Sequence, residues 1–470
     1  MTAPATAPER DIVPSNGAFP RAFWTANITE LFERGAYYAM ALFVVIYFGR
    51  LGMGHYWPST LNSILWGLVY FLPILSGTVA DQVGFRKALL GAFVLLTCGY
   101  LLMGAPVWFV GATLLEKAGD HVTSTPLVAL VCVAAIVLIG IGGSIVKPCI
   151  SGTVQKTSGL RATLAFGIFY MVINIGSLFG RGASYYVRTH STLASIFGVS
   201  MVCAILAFLV VAFVYREPAP VEGVAVRPRK SLRRVLVDMV VVLKNPRFAL
   251  FLLVNVGFNF LYSQVYNVLP LYLSTVLEKK PPVDLYTMAN PLVIVAFQLV
   301  VTRRFGKMAP VRSMVVGTVI IGLAMLINVV PLYLAGGPRA LGPFGIPIGS
   351  LFVVVTVALI AMGELFGQAR VFEYLGALAP KGQEGLFLGY ASLPIAIGSL
   401  TGGPIGALLF HGVICRGATK DDTGLLVLDP ENATLGWLIF MSIGFASAGG
   451  LWLYHRWITS SPAPTPAAAS

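Results

Sequence analysis

Long apolar runs recur along this 470-residue chain, near residues 24–48, 60–80, 88–110, 126–154, 162–187, 193–214, 248–277, 286–302, 313–335, 346–376, 385–411 and 434–457. Each approaches or exceeds the roughly 20 apolar residues that a helix needs to cross the bilayer hydrocarbon. In lipid the backbone must satisfy its own polar groups, so such runs fold as helices. Composition agrees, with 57% of residues hydrophobic and only 11% charged, against about 25% charged in a soluble domain. The expected fold is all-α: one polytopic membrane protein of about twelve transmembrane helices.

The formal net charge of +13 would suggest a polyanionic partner in a soluble chain. Here the charge sits in loops, so no nucleic acid partner is expected. The main interruption is Arg216 to Arg247, with Arg227, Arg229, Lys230, Arg233 and Arg234, which is too polar to span. It divides the chain into a first bundle (1–215), a basic linker (216–247) and a second bundle (248–470). Lys and Arg concentrate in the even-numbered loops: Arg86 and Lys87, Lys156 and Arg161, the linker, then Arg303, Arg304, Lys307 and Arg312. Odd-numbered loops mix signs, as in Glu116, Lys117 and Asp120, or Arg416, Lys420, Asp421 and Asp422. The excess of basic residues in cytoplasmic loops then puts both termini and the linker in the cytoplasm of a multi-pass cell-membrane protein. The first twenty residues lack an apolar core with a cleavage site, so no removable signal peptide is expected.

Other chemistries find little support. The five cysteines (Cys98, Cys132, Cys149, Cys203, Cys415) show no metal or disulfide spacing, and the five histidines fall at helix ends or loops. HExxH, GxSxG and phosphate-loop motifs are absent. We expect no catalytic residues, no metal, no cofactor beyond a proton gradient, and a functional monomer in contact with lipid.

The first helix reads T-E-L-F-E-R-G-A-Y-Y-A-M-A from Thr29 to Ala41, placing Glu30, Glu33, Arg34, Tyr37 and Tyr38 at helical spacings of three and four. Charges inside a membrane helix are expensive and face a bundle interior or a water-filled cavity, where they pair. An interfacial salt bridge is the plainer reading, but two carboxylates, an arginine and two tyrosines exceed what anchoring requires. The fourth helix adds Ser144, Lys147 and Ser151 in G-I-G-G-S-I-V-K-P-C-I-S-G. Lys147 needs a partner, and pairing with Glu30 or Glu33 would let a proton break the pair and so couple proton entry to helix movement.

Two six-helix halves joined by a cytoplasmic linker resemble a major facilitator transporter, with its substrate site at the midplane between the halves. The residues resemble more narrowly the proton-dependent oligopeptide transporters of that superfamily. The family's first-helix pattern E-x-x-E-R-F-x-Y-Y is matched at Glu30, Glu33, Arg34, Tyr37 and Tyr38, with Gly35 in place of phenylalanine. Further markers follow in family order: Tyr70 in V-Y-F-L-P, Lys147-Pro148, F-Y-M-V-I-N-I-G-S from Phe169 to Ser177 with Asn174, Asn290-Pro291, and Gly363-Glu364-Leu365. Gly77 to Lys87 resembles the superfamily's loop between helices two and three, with Gly77, Asp81 and Arg86 as gating residues; its plainer reading is a positive-inside turn. The resemblance implies proton coupling by Glu30, Glu33, Arg34 and Lys147, and substrate binding by Tyr37, Tyr38, Tyr70, Asn174, Asn290 and Glu364. The implied function is proton-coupled symport of a small peptide-like or other polar organic solute by alternating access. A proton-linked exporter or drug antiporter is the alternative, since G-S-L-T-G-G-P-I-G from Gly398 to Gly406 resembles the glycine-proline helix motif of antiporters, though on helix eleven rather than helix five; a nontransporting nutrient sensor is a third.

The sequence also departs from that family. Ala41 stands where members usually carry an arginine that receives peptide carboxylates, and the seventh helix carries Asn255, Asn259, Tyr262, Ser263, Gln264, Tyr266 and Asn267 but no acid, with Ser263 in the acidic place. A neutral outer gate is therefore expected, one that gains little from a substrate carboxylate. Arg181 lies about two turns beyond Asn174 on the same face. It reads either as snorkelling to the outer interface or as receiving an anion. Glu364 suits a substrate amine, or helix packing through a hydrogen bond.

Overall fold

A computed structural model describes residues 18–116, 119, 121–158, 162–217, 237, 244, 246–378 and 390–460. Most of the basic linker, both chain termini, the side chains of Asp81 and Glu373, and residues 385–389 of the expected eleventh run lie outside the described residues. Among the described residues, eight helices are long and apolar enough to cross a membrane, or nine when the bent first pair counts as one span. The second, fifth and eighth spans complete an all-α bundle of about twelve, as the apolar runs predict.

The spans are seldom straight, and the sequence explains where they break. The first runs over Arg21–Met40 and resumes as Val44–Arg50 at an angle of 40°. The second runs over Trp57–Phe71 and restarts at Pro73–Val83, proline being preorganised for a first helical turn. The third (Phe85–Trp108), fourth (Pro126–Ser158), fifth (Ala162–His190) and sixth (Ser195–Phe213) spans follow. In the second half the seventh runs over Pro246–Ser263, unwinds, and continues as Val268–Tyr272 into a wide turn at Leu273–Leu277. The short helix Val283–Thr287 leads into the eighth span, Ala289–Phe305. The ninth (Pro310–Leu326), tenth (Ile348–Leu378), eleventh (Leu393–Leu409) and twelfth (Pro430–Ser460) spans close the bundle.

The seventh-span break follows from its polar run. Ser263 Oγ and Gln264 Nε2 donate to the Phe260 carbonyl at 2.7 and 2.8 Å, and Asn267 Nδ2 donates to the Ser263 carbonyl at 2.9 Å. These side chains compete with backbone amides for the ladder carbonyls. Pro270 adds a second cause, because its missing N–H leaves the Tyr266 carbonyl without its helical donor. Asn62 of the second span fills that place at 3.3 Å and also donates to Asn267 Oδ1 at 3.0 Å. Pro148 does the same in the fourth span, and Ser76 Oγ donates at 2.8 Å to the freed Ser144 carbonyl.

Within the first half the first span packs on the fifth and sixth, and the third on the fourth and sixth; within the second half the ninth packs on the tenth and twelfth, and the seventh on the eleventh and twelfth. Leu130, Phe213 and Leu253, exposed by 66, 81 and 66%, point away from the bundle, as lipid-facing residues do.

The halves meet chiefly through Trp57–Phe71 of the second span against the eleventh. A Cβ at Gly403 would lie 2.0 Å from Ser63 Oγ and 2.1 Å from the Ser59 carbonyl, and one at Gly402 would lie 2.0 Å from Ser263 Oγ. Only glycine fits such crossings, so the Gly398 to Gly406 run is a packing seam between spans. The cross-half hydrogen bonds among the described residues all fall toward the end of the bundle opposite the linker, here termed the sealed end.

Candidate functional site

The first-span stripe folds as one ionic group. Arg34 Nε lies 3.3 Å from Glu30 Oε1 and contacts Glu33 Oε2 more closely, and all three residues are buried. A guanidinium offers five donors in a rigid fork, which suits it to two carboxylates at once. Lys147 is not drawn into an ion pair with either carboxylate as the spacing suggested. Its Nζ lies 5.0 Å from the Tyr70 ring centroid, while Glu30, Glu33 and Arg34 act on it through space. Arg34 reached the carboxylates first because it shares their helix, one and four residues away, so no tertiary rearrangement is needed.

Above this group stands an aromatic roof drawn from both halves. Tyr37 lies 5.4 Å from Tyr38 and 5.8 Å from Trp66; Trp66 stacks on Tyr70 at 5.6 Å and meets Tyr266 of the seventh span at 4.5 Å. Trp66 was missed by sequence reasoning, although its spacing of four from Tyr70 puts both on one helical face. Its Nε1 and the Tyr37 hydroxyl are buried without a hydrogen-bond partner among the described residues.

From the second half, Asn290 Nδ2 donates to Glu364 Oε2 at 3.2 Å. Tyr38, Tyr70, Lys147, Tyr262 and Glu364 keep partial exposure despite lying within the bundle, so they face space between the halves. Asn174 is turned onto its own helix, donating to the Tyr170 carbonyl at 2.9 Å. The structure thus brings the first-, second- and fourth-span residues into one group, and Asn290 with Glu364 into another.

Arg181 corrects one expectation. It is 1% exposed and so does not snorkel to an interface. Its Nε donates to Ser177 Oγ at 3.3 Å, its Nη1 donates to the Thr287 carbonyl of the other half at 2.5 Å, and its guanidinium carbon lies 5.4 Å from the Tyr38 ring centroid.

The neutral outer gate is a second correction. Ala41 is buried in the apolar core, and Ser263 packs against Gly402, so the two positions do not form a pair. An ionic contact crosses the halves elsewhere: Arg188 Nη2 donates to Asp284 Oδ1 at 3.1 Å, joining the fifth span to the helix before the eighth. Asp284 is fully buried, and Arg188 also lies 5.0 Å from the Phe43 ring centroid. Arg188 borders a cavity of about 620 Å³ that also meets Arg50, Glu116, Lys279 and Lys280. Nearby, His55 and His411 stack across the halves with ring centroids 4.0 Å apart. The one signal for Asp284 in sequence was an isolated acid after Pro281-Pro282.

The loop between the second and third spans turns at Gly84, whose φ of 92° belongs to glycine. Arg86 donates to the Val211 and Ala212 carbonyls at 3.4 and 2.6 Å, capping the sixth span, and the Phe85 amide donates to Glu217 Oε1 at 2.9 Å. Gly77 rests against Pro148. These contacts stay within the first half and the start of the linker.

The sequence profile of the Major Facilitator Superfamily matches residues 23–372. Among curated proteins, human solute carrier family 15 member 2 is 29% identical over 233 residues, covering 46% of this chain and 30% of that protein. Dipeptide and tripeptide permease A of Klebsiella pneumoniae is 25% identical over 201 residues, covering 41% and 36%. The matches therefore span about a third of these relatives. Among solved structures, a peptide transporter POT in complex with sulfate superposes with a TM-score of 0.71 at 19% identity, covering 95% of this chain and 97% of the other. A POT family transporter in complex with 5-aminolevulinic acid gives 0.70 at 18%, covering 95% and 99%. This chain belongs to the major facilitator superfamily.

Proposed function

We propose that this chain is a proton-coupled symporter that moves a small peptide-like or other polar organic solute across the cell membrane by alternating access. The observation that carries the reading is the buried Glu30–Arg34–Glu33 group beside Lys147, facing the space that Glu364 and Asn290 enter from the other half. With both carboxylates ionised, the two acids balance Arg34 and Lys147. One proton then leaves the group with a net positive charge in a poorly solvated place, and a substrate anion elsewhere in the same inter-half space offsets it at a distance, without contact. Proton and substrate thereby favour one another's binding, which is the thermodynamic requirement of symport. The peptide transporters among the relatives supply the substrate class.

Under this reading Tyr37, Tyr38, Tyr70 and Asn174 shape the site, and Glu364 with Asn290 holds a substrate amine. Gly77, Asp81 and Arg86 govern closure at the linker end, the chain needs only the proton gradient, and it works as a monomer without catalysis. With linker and termini in the cytoplasm, the sealed end faces outward and the structure is inward-facing; labelling of a linker cysteine from outside intact cells would refute that arrangement. The test of function is uptake of dialanine by the purified chain in liposomes under an inward proton gradient. Glu33→Gln and Lys147→Ala are expected to lose gradient-driven accumulation while keeping counterflow. Full accumulation by both variants, or no gradient-dependent uptake by the wild type, would overturn the proposal.

A further inference from the structure

The departure at Ala41 removes an arginine usual at that position, and a cation from another span reaches the same region. Arg181 reaches the same aromatic wall from the fifth span, 5.4 Å from the Tyr38 ring centroid and three residues along the first helix from Ala41. It is 1% exposed. Its hydrogen bonds among the described residues go to neutral groups, Ser177 Oγ and the Thr287 carbonyl, and none is made by Nη2. A guanidinium buried without a hydrogen-bonded anion is costly, and burial of that kind is usually compensated by a charge or concentrated at function. The acid that acts on it through space is Glu364, which is already held by Asn290. Glu364 is partly exposed to the inter-half space from one half, and Arg181 lies behind Tyr38 and the Thr287 carbonyl on the other.

We infer that Arg181 is the receptor for the anionic group of the substrate, and that Glu364 and Arg181 together select a solute carrying an amine and a carboxylate. The assignment rests on the transport reading above and fixes a specificity that the seventh-span sequence denies. It reverses the expectation that a carboxylate adds little. Because Arg181 also donates to Thr287 of the other half, substrate anion and inter-half contact draw on one guanidinium, which ties binding to the relative position of the halves.

The test is ligand-induced thermal stabilisation of the purified full chain. Four probes are used: dialanine, dialanine amide, N-acetylalanine and N-acetylalanine amide. For the wild type, each acid should bind at least tenfold more tightly than its amide. Arg181→Gln should bring each difference within about twofold while leaving the unliganded melting temperature close to wild type. Arg181→Lys should retain a smaller preference, because an ammonium lacks the bidentate fork. If the glutamine variant does not fold, the lysine variant decides, and an undiminished acid preference overturns the inference. It is also overturned if Arg181→Gln keeps the full preference or the wild type shows none. If N-acetylalanine discriminates through Arg181 while dialanine does not bind, the receptor stands and the peptide reading fails; if neither acid binds, both fall.

Discussion

Replacing Asp284 with asparagine removes one side of the only ion pair found between the halves among the described residues. Breaking a fully buried pair by deleting one partner costs about 3–5 kcal/mol. The cost here is smaller, because the Arg188 side chain keeps 14% exposure and regains water when its partner is lost. A hydrogen bond to a charged group, about 1.5–3 kcal/mol, is the better guide. About 2 kcal/mol taken from the sealed form alone shifts its balance with the open form by about 30-fold. Spin labels at exposed Thr189 and Lys280, on opposite lips of the 620 Å³ cavity, report that balance by electron–electron distance in a background lacking the native cysteines. Asp284→Asn should add a longer-distance population, and the exchange Arg188→Asp with Asp284→Arg should reduce it. An unchanged distance distribution in Asp284→Asn, or an exchange variant no better than the single one, would refute the latch.

Asn62→Ala should weaken closure by about 1 kcal/mol through loss of its bonds to the Tyr266 carbonyl and Asn267. The loss should shrink in a Pro270→Ala background, where the restored amide serves that carbonyl; equal losses in both backgrounds would show that the freed carbonyl is irrelevant. Gly403→Leu should abolish transport while leaving the second-half fold intact, since even a Cβ would sit 2.0 Å from Ser63 Oγ; normal uptake would show that the seam is not tight. In the loop after the eleventh span, a hydrogen bond from Thr423 and contact with Arg339 hold the Asp421 carboxyl down to about 2. A depressed carboxyl stabilises the fold above its ordinary value of 3.8 and loses that effect as pH falls toward 2. Amide exchange around residues 419–427 should therefore stay slow at pH 4 and quicken toward pH 2, whereas Asp421→Asn should show no such step.

The twelve apolar runs were legible because lipid leaves helices as the only open choice, so length and composition alone identify spans. The Glu30, Glu33, Arg34 stripe was legible for a related reason: three charges in five residues of an apolar helix have no bland place to go. Partners were less legible. Arg34 took both carboxylates, since a partner one turn away needs no packing to deliver it, and Lys147 was left beside Tyr70. For Arg181, spacing gave its face but not whether the other half would cover it. Arg188 and Asp284 lie 96 residues apart in opposite halves, and nothing local couples them. The freed carbonyls follow from the positions of Pro148 and Pro270, whereas their donors, Ser76 and Asn62, come from other spans and leave no local signal.

The second-span break has a consequence for how charge at the site reaches the seal. Its first segment, Trp57–Phe71, packs on the eleventh span of the other half as well as on the fourth span of its own, and its second, Pro73–Val83, packs on the third and fourth spans of its own half. Leu72 therefore separates the part that reaches the other half from the part that packs within its own. Both neighbours of the break touch the fourth span at the lysine: Tyr70 through its ring at 5.0 Å from Lys147 Nζ, and Ser76 through the carbonyl that Pro148 frees. A change of charge on Glu30 or Glu33 alters the field at Lys147 more than at any surface group, because little water intervenes. Movement of that ammonium must then disturb Tyr70 on one side of the break and the Pro148 region on the other. A helix broken at a proline bends there at lower cost than along an intact ladder, so the disturbance is taken up as an angle between the two segments. An angle at Leu72 moves the Trp57–Phe71 segment relative to Gly403, where the fit allows no Cβ. Contacts that tight are lost by small displacements, which is how a single buried charge can act on a seal far along the same helix.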